Sequence, residues 1–155
     1  MVSMIPDPDR LHDTLRQAGL RVTASRLAVL AAVQGTGQHR DAEAVAEAAR
    51  ERLGTLSTQA VYDNLHILEN AGLIRRIQPS GHPGRYEARV GDNHHHLVCR
   101  LCGATADADC AAHAAPCLEP SDKHGFVVDE AEIIFWGLCP NCKQNNHQDK
   151  IKEQL

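Results

Sequence analysis

The sequence predicts an α+β protein in two parts, a helical first half and a smaller second half built on short strands. Three observations carry this reading. Apolar residues recur at helical spacing through four stretches between residues 9 and 72. A Pro/Gly cluster, Gln78-Pro79-Ser80-Gly81-His82-Pro83-Gly84, then separates two short strand-like pieces. All six cysteines (99, 102, 110, 117, 139, 142) and six of the ten histidines follow that cluster. A boundary is expected between residues 78 and 92, dividing 1–86 from 87–155, and 155 residues suit one or two domains.

The elements follow in order. A first helix is expected over about 9–18. A second opens after Thr23, an N-cap, and buries Leu27, Leu30 and Val33. A third spans about 41–53, started by Asp41 and stopped at Gly54. A fourth starts at Ser57 and ends at Ala71-Gly72. Its face Ala60, Val61, Leu65, Leu68 is apolar, and Thr58, Gln59, Tyr62, Asp63, His66 and Glu69 lie on the other. Strands Leu73–Ile77 and Arg85–Ala88 complete the order of a winged helix-turn-helix. The second half is expected to hold strands near 95–99 and 104–109, a helix or irregular stretch over 110–124, and a longer strand, Phe126–Phe135. A polar tail covers 143–155.

Composition narrows the function. The chain is 43% hydrophobic and 23% charged, which suits a folded chain and not a disordered one. Five aromatics are too few for a single-strand stacking platform. No run approaches the roughly 18 apolar residues of a membrane span, and no secretory leader is visible at the N-terminus. The cytoplasm is therefore expected, where thiols stay reduced and six cysteines point to metal or redox chemistry. The net charge of −4 divides into +1 for residues 1–86, whose basic groups are ten arginines, and −5 for 87–155.

Cys99-x-x-Cys102 and Cys139-x-x-Cys142, with 36 residues between, each follow an expected strand end. A two-residue spacer lets both sulfurs of a turn face one point, and two such turns make a tetrahedral four-thiolate zinc site. Four protein ligands leave no place for substrate, so this zinc would hold the fold. A thioredoxin-like motif needs a βαβ setting that is absent. A zinc deaminase needs a His-x-Glu that is also absent. Cys110 and Cys117 read as small buried hydrophobes.

Asp92-Asn93-His94-His95-His96 precedes Cys99. On a strand, His94 and His96 share one face and His95 takes the other. Two imidazoles on one face, about 7 Å apart at Cα, can chelate one ion. Glu87, Asp107 and His39 are the candidates to complete it. Imidazole with carboxylate suits Fe²⁺, Mn²⁺, Co²⁺ or Zn²⁺. An ion held by both halves would fix their orientation and act as a switch.

Four segments now carry a resemblance. Ala18-Gly19-Leu20-Arg21-Val22-Thr23 with Arg26, Ser57-Thr58-Gln59-Ala60-Val61-Tyr62-Asp63-Asn64-Leu65, His94 through Gly103, and Trp136-Gly137-Leu138-Cys139-Pro140-Asn141-Cys142 resemble, in order, motifs of the ferric uptake regulator (Fur) superfamily. The likeness is strongest to its actinobacterial, catalase-linked branch.

The resemblance implies a homodimeric, metal-dependent repressor. Its winged helix would bind a palindromic, AT-rich double-stranded operator, and a small α/β domain would dimerise through a shared sheet. It puts DNA contacts on Arg21, Thr23, Arg26, Ser57, Thr58, Gln59, Tyr62 and Asn64, with Arg21 entering a narrowed minor groove. It puts regulatory Fe²⁺ or Mn²⁺ on His39, Glu87, His94, His96 and Asp107, and structural Zn²⁺ on Cys99, Cys102, Cys139 and Cys142. A third family site would match only His95 and His124, because Asn93 and Ala131 stand where the family often has histidines. Asp63, where many members carry Arg, marks the subtype.

Control of catalase-peroxidase and oxidative-stress genes by peroxide or iron is the implied output. The resemblance favours a redox input, which Glu87, where dedicated peroxide sensors often have Asp, tempers. The alternatives are a plain iron- or zinc-type uptake regulator, a zinc-dependent enzyme on His39, His94, His96 and Glu87, and a thiol-disulfide protein. No obvious nucleophile supports an enzyme, and an enzyme would have no use for the winged-helix half.

Overall fold

The protein is described by a computed structural model covering residues 6–35 and 39–145. The chain divides into two units, Met1–Gly91 and Asp92–Leu155. In the first, helices α1 (Pro8–Gln17), α2 (Ala24–Gln34), α3 (Ala42–Leu53) and α4 (Thr58–Asn70) combine with strands β1 (Arg40–Asp41), β2 (Arg75–Ile77) and β3 (Arg85–Glu87). Each helix starts at a side-chain cap. Asp7 accepts from the Asp9 N–H, Thr23 from Arg26, Asp41 from Ala44 and Ser57 from Ala60. Such a cap satisfies a backbone donor that has no partner inside the helix. Gly54 ends α3 at φ 84°, a backbone that suits glycine.

The first unit has a conventional core. Leu15 of α1, Val29 and Leu30 of α2, Val45 and Ala49 of α3 and Val61, Leu65 and Leu68 of α4 are buried together. Each large side chain removed from water in this way contributes about 1.5–3 kcal/mol. Strands β2 and β3 form the antiparallel wing, and β1 adds to its edge in the order β1-β3-β2. The two-residue β1 was not expected. It keeps Glu87 inside the first unit, so the unit boundary falls after Gly91 and not after 86.

The second unit is a three-stranded sheet of β4 (His94–Cys99), β5 (Thr105–Asp109) and β6 (Ile134–Gly137), in the order β5-β4-β6. β5 runs antiparallel to β4, and β6 parallel to it. The expected strand Phe126–Phe135 is corrected. Pairing begins only at Ile134, opposite His96, and Phe126 and Val127 are exposed. Asp129, Glu130 and Glu132 interrupt the apolar alternation that a strand there would need. The 110–124 stretch is irregular. Residues 140–145 are helical, and the rest of the expected polar tail lies outside the described residues.

Apolar burial in this unit is sparse. Among its described residues, the buried hydrophobic positions are Val98, Cys99 and Cys110, and His94, His95 and His96 are buried beside them. Histidines and cysteines thus occupy the places that leucines fill in the first unit. No helix among the described residues is long and apolar enough to cross a membrane.

Candidate metal centres and nucleic-acid interface

The four-cysteine group is assembled by the parallel pairing of β4 and β6. Cys99 lies opposite Gly137, so the two Cys-x-x-Cys turns leave neighbouring strand ends side by side. The first turn closes with the Gly103 N–H donating to Cys99 O at 3.0 Å, and Gly103 takes φ 73°. The four sulfurs all lie within 4.8 Å of one another, and Cys102 Sγ is 3.7 Å from Cys139 Sγ. A tetrahedron with Zn–S bonds of about 2.3 Å has sulfur edges of about 3.8 Å, so the spacing fits zinc. It is far beyond the roughly 2.05 Å of a disulfide.

The sulfur electrostatics point the same way. Backbone N–H groups of Cys102 and Cys139 hold the Cys99 thiol down to about 6. The sulfurs of Cys139 and Cys102 push Cys142 up to about 12. Thiolates packed this closely repel one another, and a cation among them would offset that charge.

The histidine strand presents its second chemistry on the His94/His96 face. Their ring centroids are 5.0 Å apart. His96 is the cross-strand partner of Asp107, and one oxygen, Asp107 Oδ1, lies 3.9 Å from His94 Nε2 and 4.0 Å from His96 Nε2. Two imidazoles therefore converge on one carboxylate at separations that leave room for an ion to bind all three. His94 Nδ1 is 2.7 Å from Asp92 Oδ1. A proton on Nδ1 shared with that carboxylate leaves Nε2 as the lone-pair atom, the tautomer a metal requires. Sequence reasoning missed Asp92. Its signal was the same alternation that joins His94 to His96.

In the first unit, His39 and Glu87 form a buried pair with His39 Nε2 2.8 Å from Glu87 Oε2. The pairing of Arg40 with Tyr86 explains how two residues 48 positions apart meet: the next step outward in that antiparallel register brings His39 to Glu87.

His95, on the opposite face of β4, has Cys117 Sγ 3.3 Å from its Nε2 and Cys110 beside them. The expected companion His124 is exposed, with its ring 3.5 Å from Asp122. The third site read as His95 with His124 is thus corrected to a grouping of His95 with two thiols. Burial raises the Cys110 thiol, but the N–H groups of Ala112 and His113, with further donors from Cys117 and Ala114, outweigh it and bring the thiol below its usual value.

At the N-terminal end of α4, Ser57, Thr58, Gln59 and Tyr62 are exposed. Thr58 Oγ1 accepts from Arg50 Nη2 at 3.1 Å, and Gln59 Nε2 donates to Asp63 Oδ1 at 2.8 Å. Arg21 is also exposed. Asn64, expected among the DNA contacts, is corrected. It is buried, its Oδ1 accepts from Arg26 Nε at 3.2 Å, and its Nδ2 donates to Ala60 O at 2.8 Å. Arg26 Nη1 donates to Arg21 O at 2.5 Å. Asn64 therefore braces Arg26 and, through it, the Arg21 backbone, while Thr23 caps α2.

A winged-helix unit with an exposed α4 N-terminus, joined to a unit rich in histidine and cysteine, has the architecture of a DNA-binding regulator. Residues 17–136 match the Ferric uptake regulator family. The chain is 57% identical over 141 residues to the transcriptional regulator FurA of Mycobacterium tuberculosis, covering 91% of this chain and 93% of that protein. It is 26% identical to the peroxide operon regulator of Bacillus subtilis, covering 87% and 93%. Its fold is similar to that of the Helicobacter pylori ferric uptake regulator, described as having three functional metal binding sites. That likeness has a TM-score of 0.65 at 20% identity and covers 90% of this chain and 95% of that one. The chain belongs to the ferric uptake regulator family and is a transcriptional regulator, not an enzyme.

Proposed function

We propose that this regulator is a homodimeric repressor that binds a palindromic, AT-rich double-stranded DNA operator when Fe²⁺ or Mn²⁺ occupies His39, Glu87, His94, His96 and Asp107. Zn²⁺ on Cys99, Cys102, Cys139 and Cys142 holds the second unit together. The observation that carries the reading is the convergence of His94 and His96 on one Asp107 oxygen, with His94 oriented by Asp92. His39 and Glu87, a buried pair in the first unit, supply the remaining ligands. An ion taking ligands from both units favours one arrangement of the two DNA-reading helices of a dimer.

Dimerisation through the sheet is supported by Leu97 and Phe135, parallel partners on β4 and β6 that are about half exposed at 48% and 49%. Ser57, Thr58, Gln59 and Tyr62 sit at the helix end that usually meets base edges. Tyr62→Ala is expected to weaken operator affinity on the order of tenfold, about 1.4 kcal/mol, with metal content and dimer unchanged. Quantitative mobility shifts measure this, and unchanged affinity would remove Tyr62 from the interface.

Control of catalase-peroxidase and oxidative-stress genes is the proposed output, with peroxide or iron as input. The likeness to a regulator named for peroxide response supports the first input. The deciding experiment is a mobility shift on the gene's own promoter with Mn²⁺, with Fe²⁺ and with neither. No metal-dependent shift on any AT-rich inverted repeat would refute the repressor reading. Release by peroxide from the Fe²⁺ form alone selects the peroxide input, and indifference to peroxide selects iron. The cytoplasm is the proposed compartment.

A further inference from the structure

The geometry points to a separate soft-metal site on His95, Cys110 and Cys117, one that takes a zinc-class divalent cation. Each residue offers a ligand atom, and the three atoms all lie within 4.8 Å of one another. His95 and Cys110 are buried, and Cys117 is partly so. None of the three belongs to the four-cysteine group, and His95 faces away from His94 and His96 along β4.

The local structure explains the convergence. β5 ends at Asp109, one residue before Cys110, and its pairing with β4 sets Ala108 opposite His95. The chain turns after Cys110, with the His113 N–H donating to Cys110 O at 3.3 Å. Asn93 Nδ2 then donates to Ala114 O at 2.6 Å and ties the loop to the start of β4. That tether brings Cys117 back over His95. Cys117 Sγ is 3.3 Å from His95 Nε2 and 4.0 Å from Ala131 O.

The donor set decides the metal class. Two thiolates with one imidazole favour zinc-like or softer ions over Mn²⁺ or Mg²⁺, which take oxygen ligands. His95 Nδ1 is buried with no hydrogen-bond partner, and Nε2 is the ring atom that meets the Cys117 sulfur. Three protein ligands leave a fourth position for water or another small ligand. The cation would clamp the irregular 110–117 segment onto the sheet.

Co²⁺ added to the full chain carrying one zinc, on the four-cysteine group, tests this. Sulfur-to-cobalt charge-transfer absorption in the near ultraviolet reports thiolate ligation, whereas cobalt on imidazole and carboxylate gives only weak visible bands. The expected result is a charge-transfer band that saturates at one cobalt per chain and is lost in Cys110→Ser/Cys117→Ser with zinc content retained. Retention of the full band in that variant would overturn the site. Alkylation of the parent chain, followed by peptide mass spectrometry, does not depend on the variant's folding. Added Zn²⁺ should slow modification of both Cys110 and Cys117 by at least tenfold. Unchanged rates would mean that the two thiols only pack.

Discussion

Cys102→Ser is expected to lose the zinc and the folded state of the second unit while the first unit stays helical. The ledger of burial sets this expectation. The first unit has a leucine-rich core drawn from α1 to α4, whereas the described second unit buries Val98, Cys99 and Cys110 as its hydrophobic positions. A structural zinc contributes roughly 10–16 kcal/mol of apparent binding energy, comparable with the whole stability of a typical domain. Serine keeps the volume but removes a soft anionic ligand, and the remaining sulfurs are then packed together without the cation that offsets them. Metal analysis should fall from one tightly held zinc per chain to a small fraction. Hydrogen exchange should show β4, β5 and β6 unprotected and α2 to α4 still protected. One retained zinc and a protected sheet would refute the four-thiolate reading. Cys110→Ser is the matched control and should keep this zinc.

Local devices were legible in the sequence, and devices made by distant pairing were not. Thr23, Asp41 and Ser57 cap their helices as expected because a cap and the N–H that donates to it lie only three residues apart. The Cys-x-x-Cys pairs were legible for the same reason. β1 is two residues long, too short to show alternation, and it exists only because β3 pairs with it. Cys110 and Cys117 have a spacing that matches no familiar ligand motif, and the loop path alone carries them to His95. The expected strand over 126–135 failed because apolar bulk at its two ends masked the acids between them. Asn64 is the instructive miss. Val61, Asn64, Leu65 and Leu68 form one i, i+3, i+4, i+7 stripe, so its burial was readable, and its polarity drew attention to the wrong face.

These facts also separate the roles of the histidines. Adjacent residues on β4 point to opposite faces, so a run of three serves two different chemistries: His94 and His96 with a carboxylate, His95 with thiols. Under the proposed function, iron or manganese would take the carboxylate face and zinc the sulfur sites.

His94→Ala is expected to abolish metal-dependent operator binding while leaving the structural zinc in place. His94 Nε2 is one of two imidazole atoms about equally distant from Asp107 Oδ1, at 3.9 Å against 4.0 Å for His96, so its loss would remove one of the proposed direct ligands. Asp92 meets the far nitrogen of that ring. Asp92→Asn therefore keeps the ligand atom but weakens the carboxylate that fixes its tautomer, for which a 10–100-fold loss of metal affinity is the usual scale. His94→Ala should exceed that loss. Mobility shifts across a Mn²⁺ titration should then give a midpoint moved by roughly 10–100-fold for Asp92→Asn and no attainable midpoint for His94→Ala. Both chains should retain one zinc. A parental midpoint in His94→Ala would show that the ion sits elsewhere. Loss of zinc together with metal response would show that the substitution had collapsed the sheet, and His96→Ala or Asp107→Asn would then have to separate ligand from scaffold. A graded response, with Asp92→Asn between parent and His94→Ala, is the pattern that only a metal-holding imidazole with a supporting carboxylate produces.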